Sequence, residues 1–129
     1  MNAAFGIVAL ENFDNIIELR ECIANLYDEN IDYNFLRPKS NPLATKNFGY
    51  YPIIFQSNEA RDLAYNNLLE NNIESKKYFS PSLDAILKTQ YCRYSNQAVD
   101  RILCIPIYPG LKKKDALKIC KIINKHKNI

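Results

Sequence analysis

The sequence is poor in glycine and almost without histidine, and both shortages narrow what it does. Three glycines, Gly6, Gly49 and Gly110, in 129 residues leave no phosphate-cradling loop. His126 is the single histidine and lies in the C-terminal tail, so a Ser–His–Asp or Cys–His relay has nowhere ordered to stand. The four cysteines, Cys22, Cys92, Cys104 and Cys120, form no CxxC pair, and with one histidine this argues against a zinc centre. Set among apolar neighbours, they read as small buried hydrophobes of a reducing compartment. No apolar run approaches the roughly 20 residues of a membrane span. The longest, around Ala3 to Leu10, is closed by Glu11 and Asp14, and it has neither the basic start nor the cleavage site of a signal peptide. The expectations are a cytoplasmic protein, no metal, and no membrane partner.

Charge is equally uninformative about a polymer partner. The formal net charge is +3, concentrated in Lys112, Lys113, Lys114, Lys118, Lys121, Lys125 and Lys127. That spacing reads as the solvated face of a C-terminal helix, and no nucleic-acid partner is expected.

What is present is an ordinary globular composition, enough for a single domain over 1–129 with a modest core. A long helix is expected over 1–28, beginning near Ala3. Its first two turns are apolar all round, which suits a helix end buried against a neighbour. Residues 31–49, with two prolines and several Asn and Ser, read as a loop with a short strand near Tyr33. A small α/β region should then fill 50–129. YYPIIF (50–55) is a strand in which Pro52 demands an edge or a bulge. Ser57 and Asn58 cap a helix to about Glu70 whose inner face is Ala60, Leu63, Ala64 and Leu68, and Asn71–Asn72 suit a left-handed end. KKYFSP (76–81) is extended, LDAILK (83–88) and NQAVDR (96–101) are short helical turns, and ILCI (102–105) is a buried strand. The last helix starts near Lys112, with Ala116, Ile119, Cys120 and Ile123 inward. The fold class expected is α+β, a two-layer arrangement of helices on a small antiparallel or mixed sheet.

No self-contained active site emerges from these residues, and no catalytic residue is assigned. Carboxylate pairs such as Glu18 with Glu21 read as solvated charge. Tyr78–Phe79 beside Lys76–Lys77 combines aromatic faces with positive charge in a loop. That combination suits a nucleotide or phosphorylated ligand, or simply core packing flanked by surface lysines.

Four segments, taken in order, resemble the C-terminal portion of the DegT/DnrJ/StrS-type sugar aminotransferases. They are Ala3-Ala4-Phe5-Gly6-Ile7-Val8-Ala9-Leu10-Glu11 with Arg20 and Tyr27, and Asn47-Phe48-Gly49-Tyr50-Tyr51-Pro52-Ile53-Ile54-Phe55. Arg61 with Lys77-Tyr78-Phe79-Ser80-Pro81 is the third, and Ala98 through Leu111, containing Cys104-Ile105-Pro106-Ile107-Tyr108-Pro109, is the last. The resemblance implies the small domain of a fold-type I aminotransferase. That family transfers an amino group, typically from glutamate, to a keto-sugar nucleotide, with pyridoxal phosphate as electron sink.

In the family the Schiff-base lysine and most phosphate ligands lie upstream of the first matched helix. The resemblance therefore implies a C-terminal fragment that binds no cofactor alone and is inactive alone. It offers Lys77, Tyr78 and Phe79 as a substrate-facing loop, with Tyr50 and Tyr51 as further substrate-binding candidates. The partners it implies are a nucleotide-sugar, bound weakly or not at all by this chain alone, and, through Ala3–Leu10, either an N-terminal aminotransferase half or a second copy. A split enzyme and a free-standing nucleotide-sugar binding or regulatory module are the alternatives.

Overall fold

The computed structural model describes residues 2–39, 41–78 and 80–127. Among these lie six helices and one two-stranded sheet: α1 (Asn2–Glu11), α2 (Phe13–Asn30), β1 (Tyr51–Ile54), α3 (Asn58–Glu70), α4 (Leu83–Leu87), α5 (Arg93–Val99), β2 (Ile102–Ile105) and α6 (Lys113–Asn124). The class is α+β, with α6 packed against both α2 and α3.

The long N-terminal helix is divided at Asn12. Its side-chain amide donates to the Val8 carbonyl at 2.9 Å, competing with its own backbone N–H at 3.3 Å. Such back-bonding bends a helix without ending it, and the Ile16 N–H to Asn12 carbonyl bond carries the chain into α2. Residues 3–13 are exposed throughout, whereas Ile23, Ala24 and Tyr27 of α2 enter the core. On α6 the inward residues are Ala116, Ile119, Cys120, Ile122 and Ile123, with the lysines outward, as helical periodicity requires. Asn124 locks the two helices together: its Oδ1 accepts from the Asp32 N–H and its Nδ2 donates to the Asn30 carbonyl.

β1 and β2 pair antiparallel, Tyr51 opposite Ile105 and Ile53 opposite Leu103. Pro52 stands opposite Cys104, whose own N–H and C=O both bond Lys76 at 2.9 Å, so the register never asks Pro52 for a proton. The extended segment expected over 76–81 shrinks to the bridge between Lys76 and Cys104, the chain turning at Tyr78, and on the far side of β1 a bridge joins Ile54 to Leu36. The strand expected near Tyr33 thus shrinks to one bridge at Leu36, leaving Tyr33 exposed.

Two further expectations are corrected. On α3, Arg61 and not Leu63 joins Ala60, Ala64 and Leu68 in the interior, which turns the centre of the buried stripe by roughly 40° about the helix axis; Leu63 is 48% exposed. Of the cysteines only Cys104 and Cys120 are buried; Cys22 and Cys92 face solvent. Ser57 caps α3 as read, its hydroxyl accepting from the Ala60 N–H at 3.0 Å. The helix ends in a Schellman turn, with Asn72 left-handed (φ 58°), Asn72 N–H on the Leu69 carbonyl and Ile73 N–H on the Leu68 carbonyl. Gly110 (φ 91°) supplies the left-handed residue that turns the chain from the loop after β2 into α6.

Candidate functional site

Three connections meet around a cavity of about 630 Å³. These are the Schellman turn after α3, the extended segment at Lys76, and the loop from β2 to α6. Ile105, Ile107, Leu111 and Ile119 give it an apolar lining, and Gly49 and Tyr50 close it on the β1 side. Lys76 and Tyr78 both line it, and the intervening Lys77 is not among the lining residues. Tyr50 and Tyr78 meet edge to face, ring centroids 5.2 Å apart at 77°, a favoured aromatic geometry.

The charges of the cavity are largely internal. Lys76 donates to Glu74, which holds the Lys76 ammonium above its usual range and the Glu74 carboxyl below its own. Asp115 and Lys118 of α6 complete the wall, with Lys118 Nζ 3.5 Å from the Asn71 carbonyl. Burial pushes the Cys104 thiol up to about 11, so it is no nucleophile near neutral pH. The cavity thus combines an apolar lining, an aromatic pair and the Lys76–Glu74 ion pair.

The remaining candidate residues have distinct surroundings. Tyr51 is 7% exposed; its ring packs on Tyr27 at 4.9 Å and its hydroxyl donates to Asp28 Oδ1 at 2.5 Å. Burial raises its phenol pKa, and the Asp28 hydrogen bond adds to this. Lys77 reaches α3, where Nζ lies 2.6 Å from Asp62 Oδ1 and 4.3 Å from the Tyr65 ring centroid. Phe79 lies outside the described residues. The structure therefore joins Tyr50 to Tyr78 and directs Lys77 and Tyr51 elsewhere. It adds Asn71–Glu74, Leu111, Asp115 and Lys118, of which the sequence marks Asn71–Asn72 as a helix end, Leu111 as the end of the last family segment and Lys118 as part of a solvated helix face.

A Schiff-base lysine must lose its proton near neutral pH, which burial or a neighbouring cation brings about. None of the lysines here is buried. Lys76 and Lys127 are held by Glu74 and Asp32 with raised pKa values, and Lys77 is paired with Asp62. These residues do not fit a pyridoxal phosphate attachment site.

The sequence profile of the DegT/DnrJ/EryC1/StrS aminotransferase family matches residues 1–124. A dTDP-4-amino-4,6-dideoxy-D-glucose transaminase of Escherichia coli is 31% identical over 140 residues, covering 95% of this chain and 36% of that protein. A GDP-perosamine synthase of Escherichia coli O157:H7 is 26% identical over 125 residues, covering 95% of this chain and 34% of its own length. Among solved structures, the aminotransferase TlmJ from Streptoalloteichus hindustanus superimposes with a TM-score of 0.85 at 18% identity, over 96% of this chain and 35% of that one. The chain thus spans about a third of the length of the curated relatives it matches.

Proposed function

The chain belongs to the DegT/DnrJ/EryC1/StrS aminotransferase family, and from that premise we propose that it is the small domain of a nucleotide-sugar aminotransferase. Pyridoxal phosphate dependence fits the family, and the named activities of the relatives point to a dTDP- or GDP-linked aminosugar as the substrate class. In this reading Tyr50 and Tyr78 are the substrate-facing pair, and Phe79 is a further substrate-binding candidate. Lys77 and Tyr51 support them from behind. The lysine that carries the cofactor belongs to a separate large domain, so residues 1–129 alone do not transaminate.

The observation that carries the reading is the Tyr50–Tyr78 pair set beside the cavity. Aromatic rings over an apolar lining suit the flat base or the apolar face of a sugar. Calorimetric titration with a dTDP-sugar tests it. Binding is expected for the unchanged chain, with affinity about tenfold weaker for Tyr78→Ala, roughly 1.4 kcal/mol. A flat isotherm for the unchanged chain overturns the reading.

The exposed apolar α1 favours the split arrangement as a second reading. Phe5, Ile7, Val8 and Leu10 all face solvent, a patch that marks a covered surface in an assembled protein. We assign it to the large cofactor-bearing domain, which a neighbouring reading frame would encode. Co-expression with that frame should restore turnover, and failure of the two chains to co-purify removes the assignment.

A further inference from the structure

We propose that Asp62 is a positioning residue: by gripping Lys77 it fixes which face of the 76–78 segment meets the cavity, and so seats Tyr78 against Tyr50. The inference rests on the reading of Tyr50 and Tyr78 as the substrate-facing pair, but it is measured without any ligand.

The Asp62 carboxylate is a shared anchor. Its Oδ1 lies 2.6 Å from Lys77 Nζ and 2.6 Å from Arg61 Nε. The Arg61 contact is an ion pair without hydrogen-bond alignment, so the hydrogen bond to Oδ1 comes from Lys77. Arg61 is the one charged side chain buried among the described residues, 5% exposed, and its Nη2 donates to Asn58 Oδ1. The cation on that side of Asp62 is thus locked into the interior of α3. Tyr65 sits one helical turn beyond Asp62, and its ring faces the Lys77 ammonium at 4.3 Å. A single flexible lysine is therefore held at its charged end by a carboxylate and a ring on the same helix face.

Lys76 is tied to β2 by its bridge to Cys104, and the Ser80 N–H meets the Lys77 carbonyl at 3.4 Å where the chain turns. With Lys77 held on α3, its neighbours Lys76 and Tyr78 lie on the other side of the segment, where both line the cavity. Burial alone would raise the Asp62 carboxyl, yet the Lys77 hydrogen bond and the charges of Arg61 and Lys77 outweigh it and leave its pKa lowered, so the anchor stays charged near neutral pH.

The test is the inter-ring nuclear Overhauser cross-peak between Tyr50 and Tyr78 in the unliganded chain, read beside circular dichroism and thermal unfolding. Lys77→Met should weaken the cross-peak at least threefold while the unfolding midpoint stays within a few degrees. Asp62→Asn should weaken it as much and also lower the midpoint, because the buried Arg61 loses its counter-ion. Lys77→Arg, which keeps a cation for Asp62, should retain most of the cross-peak. An undiminished cross-peak in Lys77→Met overturns the proposal. So does a cross-peak that Lys77→Arg loses to the same extent, since a grip by charge would then not be what seats Tyr78. Failure of the unchanged chain to bind a dTDP-sugar would instead overturn the functional reading and leave the cross-peak result standing.

Discussion

Tyr27 shows how much one residue joins in this protein. Its ring packs on Tyr51, and its hydroxyl donates to the Pro106 carbonyl at 2.7 Å, fastening α2 to the loop that leaves β2. Burial raises its phenol pKa further than any neighbour does, so it remains a neutral donor. Tyr27→Phe keeps the ring and strands the carbonyl, and should lower stability by about 1 kcal/mol in urea unfolding. An unchanged midpoint would mean that water replaces the hydroxyl without loss. The sequence marked Tyr27 through its place in the family pattern, but nothing local announced a partner 79 residues away. Arg61 was harder to foresee, because its interior place depends on Asn58 and Asp62 satisfying part of a guanidinium that would otherwise avoid the core.

At the scale of elements, legibility followed local chemistry. β2, the Ser57 cap and the left-handed Asn72 were readable because turn, cap and β-branched preferences act over a few residues. The start of α5 was not, since Arg93 begins a helix three residues before its expected onset at Asn96. The reason is a polar clasp: Asp84 of α4 accepts from the Cys92 N–H at 2.9 Å and the Asn96 side chain at 2.7 Å. Ser82 donates to Asn96 in turn. The Cys92 amide, followed by the Ser82 and Asn96 side chains, lowers the Asp84 carboxyl to about 2. A depressed acid stabilises the folded form above its unfolded value near 3.8, and that contribution fades as pH falls toward about 2. Acidification through this window should speed amide exchange at Cys92 and Asn96 while the amides of α6 stay protected. Equal loss at both places would show global unfolding and not release of the clasp.

For the whole molecule, class and family were both legible, the class from alternating element types and the family from four weak patterns in fixed order. The cavity was not, because it forms where three connections meet, and its walls come from residues whose individual patterns were those of turns and a solvated helix. The exposed setting of the lysines leads to a further expectation. Pyridoxal phosphate added to residues 1–129 should give no saturable lysine-bound absorbance band. A stoichiometric band removed by borohydride would place an attachment lysine in this chain after all.

The single bridges that flank the sheet have a consequence for assembly. A bare two-stranded sheet offers two open edges, each a template for another strand. Here Leu36 occupies part of the outer side of β1 and Lys76 part of the outer side of β2. Pro52 further denies the β1 side a donor. The sheet is thus shielded from growth by strand addition, while the apolar residues of α1 stay exposed. Associations of this domain should accordingly preserve its helical spectrum and bind no amyloid dye.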